Sequence, residues 1–174
     1  YNGIDTSLFS FKENVGTYLF FLGRMSPEKG VKEAIEVAKR SKLKLIIAAK
    51  VDSVDMQYFQ EVKPLIEGSN VEFLQEVDFE TKVKLLSNAL ALIAPIQWEE
   101  PFGLVMTEAM ACGNPVITSN VSCLPEAAGG AAILVNPYDI KDIAKAMKKI
   151  ASDDQERKEL VKKGFERIKA FTWD

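Results

Sequence analysis

Residues 89–118 read ALALIAPIQWEEPFGLVMTEAMACGNPVIT, and their pattern is the clearest indication of the fold class. It begins with a continuously apolar strand over 90–96, which is typical of the centre of a parallel sheet whose two faces are both covered. A polar loop, a helix over 103–112 and a second strand over 115–118 follow. A strand, a crossover helix and another strand form the unit from which parallel sheets are built.

The same alternation recurs on both sides of this stretch. Further strands are predicted over 17–22, 43–49, 71–74 and 131–135, and further helices over 28–42, 54–67, 79–89, 139–151 and 154–170. This order predicts an α/β fold, a Rossmann-like doubly wound parallel sheet of about six strands. Ligands of such sheets bind outside the carboxyl ends of the strands, beside a topological switch point. The loops that follow the strands are therefore the place to look for a site.

Composition excludes several kinds of protein. The chain has 174 residues, a net charge of −3, two cysteines and no histidine. Without histidine there is no Ser-His-Asp or Cys-His triad and no His-ligated zinc. An acidic chain without a basic stripe is a poor candidate for binding nucleic acid. Cys112 and Cys123 are expected to be reduced thiols of a cytoplasmic protein, buried or incidental rather than reactive.

Sequence features that the chain lacks exclude further classes of protein. No apolar run reaches the roughly 20 residues of a transmembrane helix, so no transmembrane segment is predicted. The chain also lacks the G-x-G-x-x-G fingerprint of dinucleotide-binding proteins, the P-loop of NTPases and the G-x-S-x-G motif of hydrolases.

The loop after the first strand carries two cations. Residues 23–30 read GRMSPEKG, in which Ser26 suits a helix N-cap and Pro27 the first helical turn. Arg24 and Lys29 beside the positive end of a helix form a plausible clamp for a diphosphate. A well-capped helix with solvated charges explains the same residues.

The loop after the central strand carries two carboxylates. Glu100 can reach into a cleft, while Gly103 leaves the N–H groups of Phe102, Gly103 and Leu104 available to bind oxygen atoms. Glu108 lies about one and a half turns into the helix. It can accept two hydrogen bonds from a vicinal diol such as a ribose. Alternatively, both acids are favoured at a helix start by the helix dipole alone.

Three segments together resemble a known family. Residues 24–30 (RMSPEKG), 100–104 (EPFGL) with 108–111 (EAMA), and 113–117 (GNPVI) resemble the donor-binding half of GT-B glycosyltransferases. The similarity is to the large retaining family 4 group, and the spacing from Glu100 to Glu108 resembles its E-x7-E signature.

The chain ends support the resemblance. Residues 2–5 (NGID) resemble the opening of the C-terminal domain in that family, and residues 171–174 (FTWD) the segment before its last helix. The resemblance implies a lead-in over 1–16 from an N-terminal domain absent from this chain. It also implies a nucleotide-sugar-binding domain over 17–170, and the start of a terminal segment over 171–174.

Residue roles follow from the resemblance. Arg24 and Lys29 would neutralise the donor diphosphate, Glu100 would contact sugar hydroxyls together with the N–H groups of 102–104, and Glu108 would hold the ribose. The implied reaction is sugar transfer from a nucleotide-diphosphate donor with retained anomeric configuration. Neither a divalent metal nor another cofactor is expected. The acceptor would bind mainly to the absent domain, so this chain alone is expected to be inactive.

The sequence departs from the family pattern at two positions, and two alternative functions fit the same residues. Gln75 follows Phe73-Leu74 where the family usually has glycine, in a loop that borders the nucleobase, and Cys123 stands where it often has glycine or serine. The alternatives are a non-catalytic nucleotide- or sugar-binding module and a GT-B-type nucleotide-sugar epimerase. A cytoplasmic location is expected, with peripheral binding at the inner membrane face a further option for a full-length protein.

Overall fold

The computed structural model describes residues 3–12 and 15–171. In chain order, its strands are β1 Tyr18–Arg24, β2 Lys44–Lys50, β3 Val71–Leu74, β4 Ala91–Ala94, β5 Val116–Ser119 and β6 Ile133–Val135. Its helices are α1 Val31–Ser41, α2 Met56–Ile66, α3 Phe79–Asn88, α4 Leu104–Ala111, α5 Leu124–Ala128, α6 Ile140–Ser152 and α7 Asp154–Ile168. Short 3₁₀ turns lie at Thr6–Leu8, Pro27–Lys29, Ser53–Asp55 and Lys169–Phe171.

The strands form one parallel sheet in the order β3-β2-β1-β4-β5-β6. The α/β class, the six strands and the parallel arrangement predicted from the sequence are confirmed. The chain builds outward from β1 to β3 and then returns to place β4 on the other side of β1. The switch point therefore lies between β1 and β4, where the loops after these two strands face each other.

Helices cover both faces of the sheet because its strands are apolar on both faces. Leu19 and Phe21 of β1 belong to one buried cluster, whereas Phe20 belongs to the other. β4 alternates in the same way, with Ile93 on one face and Leu92 on the other. The first cluster is completed by α1, α2 and α6, and the second by α3, α4 and α5. Two-sided burial of this kind requires the continuous apolar strands seen in the sequence.

The loop after β1 differs from the prediction. The helix expected over 28–42 is divided into a 3₁₀ turn, Pro27–Lys29, and α1, which begins at Val31. Gly30 separates the two with a φ of +75°, in the left-handed region that favours glycine. A Cβ at this position would overlap the carbonyl oxygen of Pro95. The helix is interrupted because this loop must pass directly against the loop after β4.

The end of one strand and the cap of one helical turn also differ from the prediction. The strand expected over 90–96 ends at Ala94, because Pro95 has no N–H to continue the ladder. Ser26 occupies the N-cap position of the 3₁₀ turn, but its side chain makes no capping hydrogen bond there.

The lead-in packs onto the domain where the structure describes it. Ile4 is buried, and its N–H donates to the carbonyl oxygen of Phe171 at 2.7 Å. Within the sequence motifs noted at the two chain ends, residues 2 and 172–174 lie outside the described residues. In the described part of the chain, no helix combines the length and apolar character that crossing a bilayer would require.

The contact of Gly30 with Pro95 gives a stability prediction. Gly30→Ala combines an unfavourable positive φ, about 1–2 kcal/mol, with an overlap against rigid backbone that adds about 1–3 kcal/mol. Gly68→Ala is the matched control, since Gly68 has a φ of +70° but no atom lies within 4 Å of an added Cβ. Urea unfolding should show the larger loss for Gly30→Ala. Equal losses for the two variants would contradict the close approach of the two loops.

The two cysteines should differ in reactivity. Cys112 is 1% exposed, and burial raises the pKa of its thiol to about 11, so it remains protonated at pH 8. Cys123 is partly exposed. A chromogenic disulfide reagent at pH 8 should titrate one thiol rapidly in the native protein and the second only after unfolding, because the thiolate is the reactive form. Rapid reaction of both thiols in the native state would contradict this assignment.

Candidate functional site

The candidate site lies at the switch point, where the loops after β1 and β4 are joined backbone to backbone. The N–H of Gln97 donates to the carbonyl oxygen of Glu28 at 2.8 Å. Together with the packing of Gly30 on Pro95, this hydrogen bond fixes the relative position of the two loops. The side chains that project from them consequently meet in a defined geometry.

Lys29 and Glu100 form the centre of this site. The Lys29 Nζ donates to the Glu100 Oε2 at 2.7 Å, although the two residues are 71 positions apart. Trp98 completes the cluster. Its indole Nε1 donates to the same Oε2 at 2.8 Å, and its ring centroid lies 4.9 Å from the Lys29 Nζ. The structure thus brings together a cation and a carboxylate that the sequence predicted from two separate loops.

The backbone at Glu100 is held by the loop after β5. Ser122 Oγ donates to the carbonyl oxygen of Glu100 at 3.1 Å, and Cys123 Sγ donates to it at 2.9 Å. From the loop after β6, the hydroxyl of Tyr138 donates to the carbonyl oxygen of Gln97 at 3.0 Å. Sequence reasoning missed these contacts and treated Cys123 as incidental, since no local pattern relates these positions to residue 100.

Arg24 is oriented by a buried carboxylate that the sequence did not single out. Its Nε lies 2.9 Å from the Asp55 Oδ2 in an ion pair, and its Nη2 donates to the Asp55 Oδ1 at 3.5 Å. The same Nη2 lies 3.4 Å from the Glu28 Oε1. Asp55 comes from the turn after β2 and is 7% exposed, whereas the Arg24 side chain is 45% exposed. The guanidinium is therefore fixed on one side and open to solvent on the other.

Glu28 stays ionised beside these cations. Burial opposes its ionisation, but hydrogen bonding from its own backbone and the charges of Arg24 and Lys29 hold its pKa below the usual value. The loop after β1 accordingly presents an anion between its two cations. A phosphate approaching Arg24 must compete with this carboxylate.

The start of α4 presents backbone donors to the same edge of the sheet. Gly103 has a φ of +83°, and α4 begins at the next residue. The N–H groups of Gly103 and Leu104 donate to no residue among those that the structure describes. A helix start of this kind binds anions and oxygen atoms. The side chain of Phe102 instead packs in the core, where its ring meets that of Phe171 edge-on at 5.1 Å.

Glu108 lies farther along α4 and has its own cation. The Lys82 Nζ donates to the Glu108 Oε1 at 2.6 Å, from the first turn of α3. The Lys82 Nζ also lies 4.8 Å from the centroid of the Phe79 ring. Sequence reasoning selected Glu108 but not Lys82, which sits in the polar pattern of an ordinary amphipathic helix.

A cavity of about 40 Å³ lies between the ends of β1 and β4 and the start of α4. Its walls include Lys29, Glu100, Gly103 and Leu124. A larger cavity of about 680 Å³ lies at the opposite edge of the sheet, where its walls include Gly16 and Leu90, just before β1 and β4. It contains none of the predicted site residues, so cavity size alone would have selected a different edge from the one that the sequence predicts. Over residues 3–12 and 15–171, no three His, Cys, Asp or Glu side chains are grouped to hold a metal ion.

Comparisons with known proteins identify the family of this chain. The family model described as "Glycosyl transferases group 1" matches residues 7–167, and the chain belongs to that family. It is 28% identical over 163 residues to O-antigen chain mannosyltransferase B of Escherichia coli, covering 90% of this chain and 42% of that protein. It is 34% identical over 152 residues to O-antigen chain mannosyltransferase RfbU of Salmonella typhimurium, covering 86% and 43%. The chain thus spans less than half the length of these relatives.

Solved structures share the fold. Sucrose-phosphate synthase from Thermosynechococcus elongatus superposes with a TM-score of 0.85 at 27% identity, covering 99% of this chain and 48% of that one. Anabaena HepE, solved with UDP and glucose, gives 0.88 at 20% identity, covering 99% and 52%. The C-terminal domain of a group 1 protein, LpcC of Francisella tularensis, gives 0.79 at 23% identity and covers 97% of both chains. The Rossmann-like sheet is therefore that of GT-B glycosyltransferase domains.

The pairing of Arg24 with Asp55 predicts a measurable loss of stability. Asp55→Ala removes the buried partner of a guanidinium, which should lower the free energy of unfolding by about 1–3 kcal/mol. Asp52→Ala is the control, because its ion pair with Lys50 is more exposed and should contribute at most about 1 kcal/mol. Chemical denaturation of both variants measures the difference. A smaller loss for Asp55→Ala than for Asp52→Ala would show that Asp55 does not hold Arg24.

Proposed function

We propose that this chain is the donor-binding domain of a retaining glycosyltransferase of the family 4 type. It would bind a nucleotide-diphosphate sugar, whose sugar is transferred to an acceptor bound mainly by an N-terminal domain. The observation that carries this proposal is the Lys29–Glu100 ion pair at the switch point of the sheet, beside the N–H groups of Gly103 and Leu104. Membership of the group 1 family supports it independently.

The cations would act on the leaving group. Breaking the bond between sugar and nucleotide produces an oxocarbenium-like sugar and a nucleotide diphosphate with increased negative charge. Arg24 is the last residue of β1 and Lys29 lies in the turn that follows, where both can approach a diphosphate at the mouth of the site. Fixed positive charge beside a developing anion lowers the barrier. With side-chain cations in this role, we expect the reaction to need no divalent metal.

The carboxylates would bind the sugar and the ribose. Glu100 is anchored through its backbone by Ser122 and Cys123, so its side chain is positioned to accept hydrogen bonds from sugar hydroxyls. The N–H groups of residues 102–104 at the start of α4 would donate to oxygen atoms of the donor. Glu108, farther from the centre, would accept from the ribose hydroxyls. The spacing from Glu100 to Glu108 is the E-x7-E pattern of this family.

The relatives favour a hexose as the transferred sugar. Two of them are named as mannosyltransferases, and HepE was solved with UDP and glucose. The nucleobase would lie near the loop after β3, where Gln75 replaces the glycine usual in the family. We therefore propose a hexosyl donor and leave the choice among uridine, guanosine and adenosine diphosphates to measurement.

Calorimetric titration of the 174-residue chain with UDP, GDP and ADP tests the donor site. One nucleotide should bind, with equal affinity in EDTA and in magnesium. Lys29→Ala should weaken that binding at least tenfold, since a charge-assisted hydrogen bond is worth about 1.5–3 kcal/mol. Lys39→Ala, which removes an exposed lysine at the far end of α1, should have no effect.

A transfer assay on the full-length protein tests the reaction itself. Glu100→Ala should reduce transfer by about 10²-fold or more, because an interaction with the reacting sugar is lost. Glu99→Ala is the matched control, as the adjacent carboxylate is exposed and lies outside the ion pair. Nucleotide binding without transfer would indicate a non-catalytic module, and an epimerised sugar nucleotide would indicate an epimerase. An unchanged rate in Glu100→Ala would contradict the site assignment.

A further inference from the structure

The ion pair between Lys82 and Glu108 has properties that suggest more than a structural role. It connects two helices across 26 positions with a separation of 2.6 Å. Both side chains are largely shielded, with 20% of Lys82 and 18% of Glu108 exposed. Isolated ion pairs of intermediate exposure contribute little to stability. We therefore expect the main effect of this pair to be on the orientation of the Glu108 carboxylate.

Lys82 is itself held in place. Its ammonium lies 4.8 Å from the centroid of the Phe79 ring, and that ring meets Phe9 of the lead-in edge-on at 5.5 Å. At the beginning of α3, the Asp78 carboxylate accepts a hydrogen bond from the Thr81 N–H at 2.7 Å, which fixes the first turn. A cation on a fixed turn, with an aromatic face against it, has few alternative rotamers.

The pair leaves half of the carboxylate available. Lys82 occupies the Oε1 of Glu108, whereas no residue in the described part of the chain donates to the Oε2. The carboxylate plane is thereby fixed with one oxygen directed at Lys82 and the other unoccupied. Glu108 lies on α4, little more than one turn from the unbonded N–H groups of Gly103 and Leu104 at its start. A carboxylate fixed in this way can accept a hydrogen bond from a neighbouring hydroxyl with little loss of side-chain entropy.

We propose that Lys82 is a positioning residue that orients Glu108 to read the 2′- and 3′-hydroxyls of the donor ribose. This inference rests on the proposed function, in which Glu108 binds the ribose. It adds that the preference for ribonucleotides over 2′-deoxyribonucleotides depends on the Lys82–Glu108 pair and not on Glu108 alone. Without Lys82, the carboxylate rotates freely and loses its fixed oxygen.

The discriminating measurement is the dissociation constant of the 2′-deoxyribonucleotide divided by that of the ribonucleotide. The wild-type chain is titrated with UDP, GDP and ADP, and the nucleotide that binds is compared with its 2′-deoxy form. We expect the ribonucleotide to bind about tenfold more tightly, as one hydrogen bond to a charged group would give. Lys82→Met should reduce this ratio to about two or less. Lys82→Arg, which restores a cation, should recover most of it.

Controls separate positioning from folding. Lys84→Met removes an exposed lysine from the same helix and should leave the ratio unchanged. Circular dichroism and urea midpoints show whether each variant is folded. In a Glu108→Ala background, where the ratio should already be close to one, Lys82→Met should have no further effect on it. Such non-additivity is the signature of two residues acting through one interaction.

The outcomes distinguish this inference from the function on which it rests. If no nucleotide binds to the wild-type chain, the proposed function fails and the inference with it. If nucleotides bind and Glu108→Ala abolishes the ratio while a folded Lys82→Met retains it, the donor site stands and Lys82 is not a positioning residue. The inference is also overturned if Lys82→Met and Glu108→Ala reduce the ratio additively. Loss of the ratio in Lys82→Met with recovery in Lys82→Arg supports it.

Discussion

The close approach of two loops at the switch point is the constraint on which the site depends. Gly30 packs against the carbonyl of Pro95, and the Gln97 N–H bonds to Glu28 on the opposite loop. Parallel strands with β1 and β4 adjacent place these loops side by side, but a residue with a Cβ at position 30 would separate them. Lys29 immediately precedes this glycine. Its 2.7 Å contact with Glu100 thus follows from backbone packing and not from the attraction of the two charges alone.

Both cations of the candidate site are already paired with carboxylates before any ligand binds. Arg24 is oriented by the buried Asp55, and Lys29 is paired with Glu100. Such pairing holds flexible side chains in place and so reduces the entropy lost when a ligand binds. It also means that any anionic ligand bound there would share each cation with an existing carboxylate. The exposed side of Arg24 and the unbonded N–H groups at the start of α4 are where new contacts can form without breaking old ones.

Family membership and site geometry are two separate lines of support for the proposed function. The group 1 family model matches residues 7–167, and Lys29 and Glu100 meet at the β1–β4 switch point. The larger cavity at the opposite edge shows why chemistry, and not volume, must locate the site. The chain spans less than half the length of the two mannosyltransferases with which it was compared.

The class of the fold could be predicted from the sequence, as could the loops in which we propose the site. Buried strands and amphipathic helices have local sequence patterns, such as the apolar run 90–96, so the six strands and the longer helices could be predicted. The bounds of the short helix α5, Leu124–Ala128, were not predicted. The order of the strands could not, because hydrogen-bonded neighbours are chosen by packing between distant segments. For the same reason three contacts could be found only in the folded structure: Asp55 with Arg24, Cys123 with the backbone of residue 100, and Lys82 with Glu108. Each of these contacts joins two elements whose separation in space depends on the completed sheet, and a local pattern contains no information about that distance.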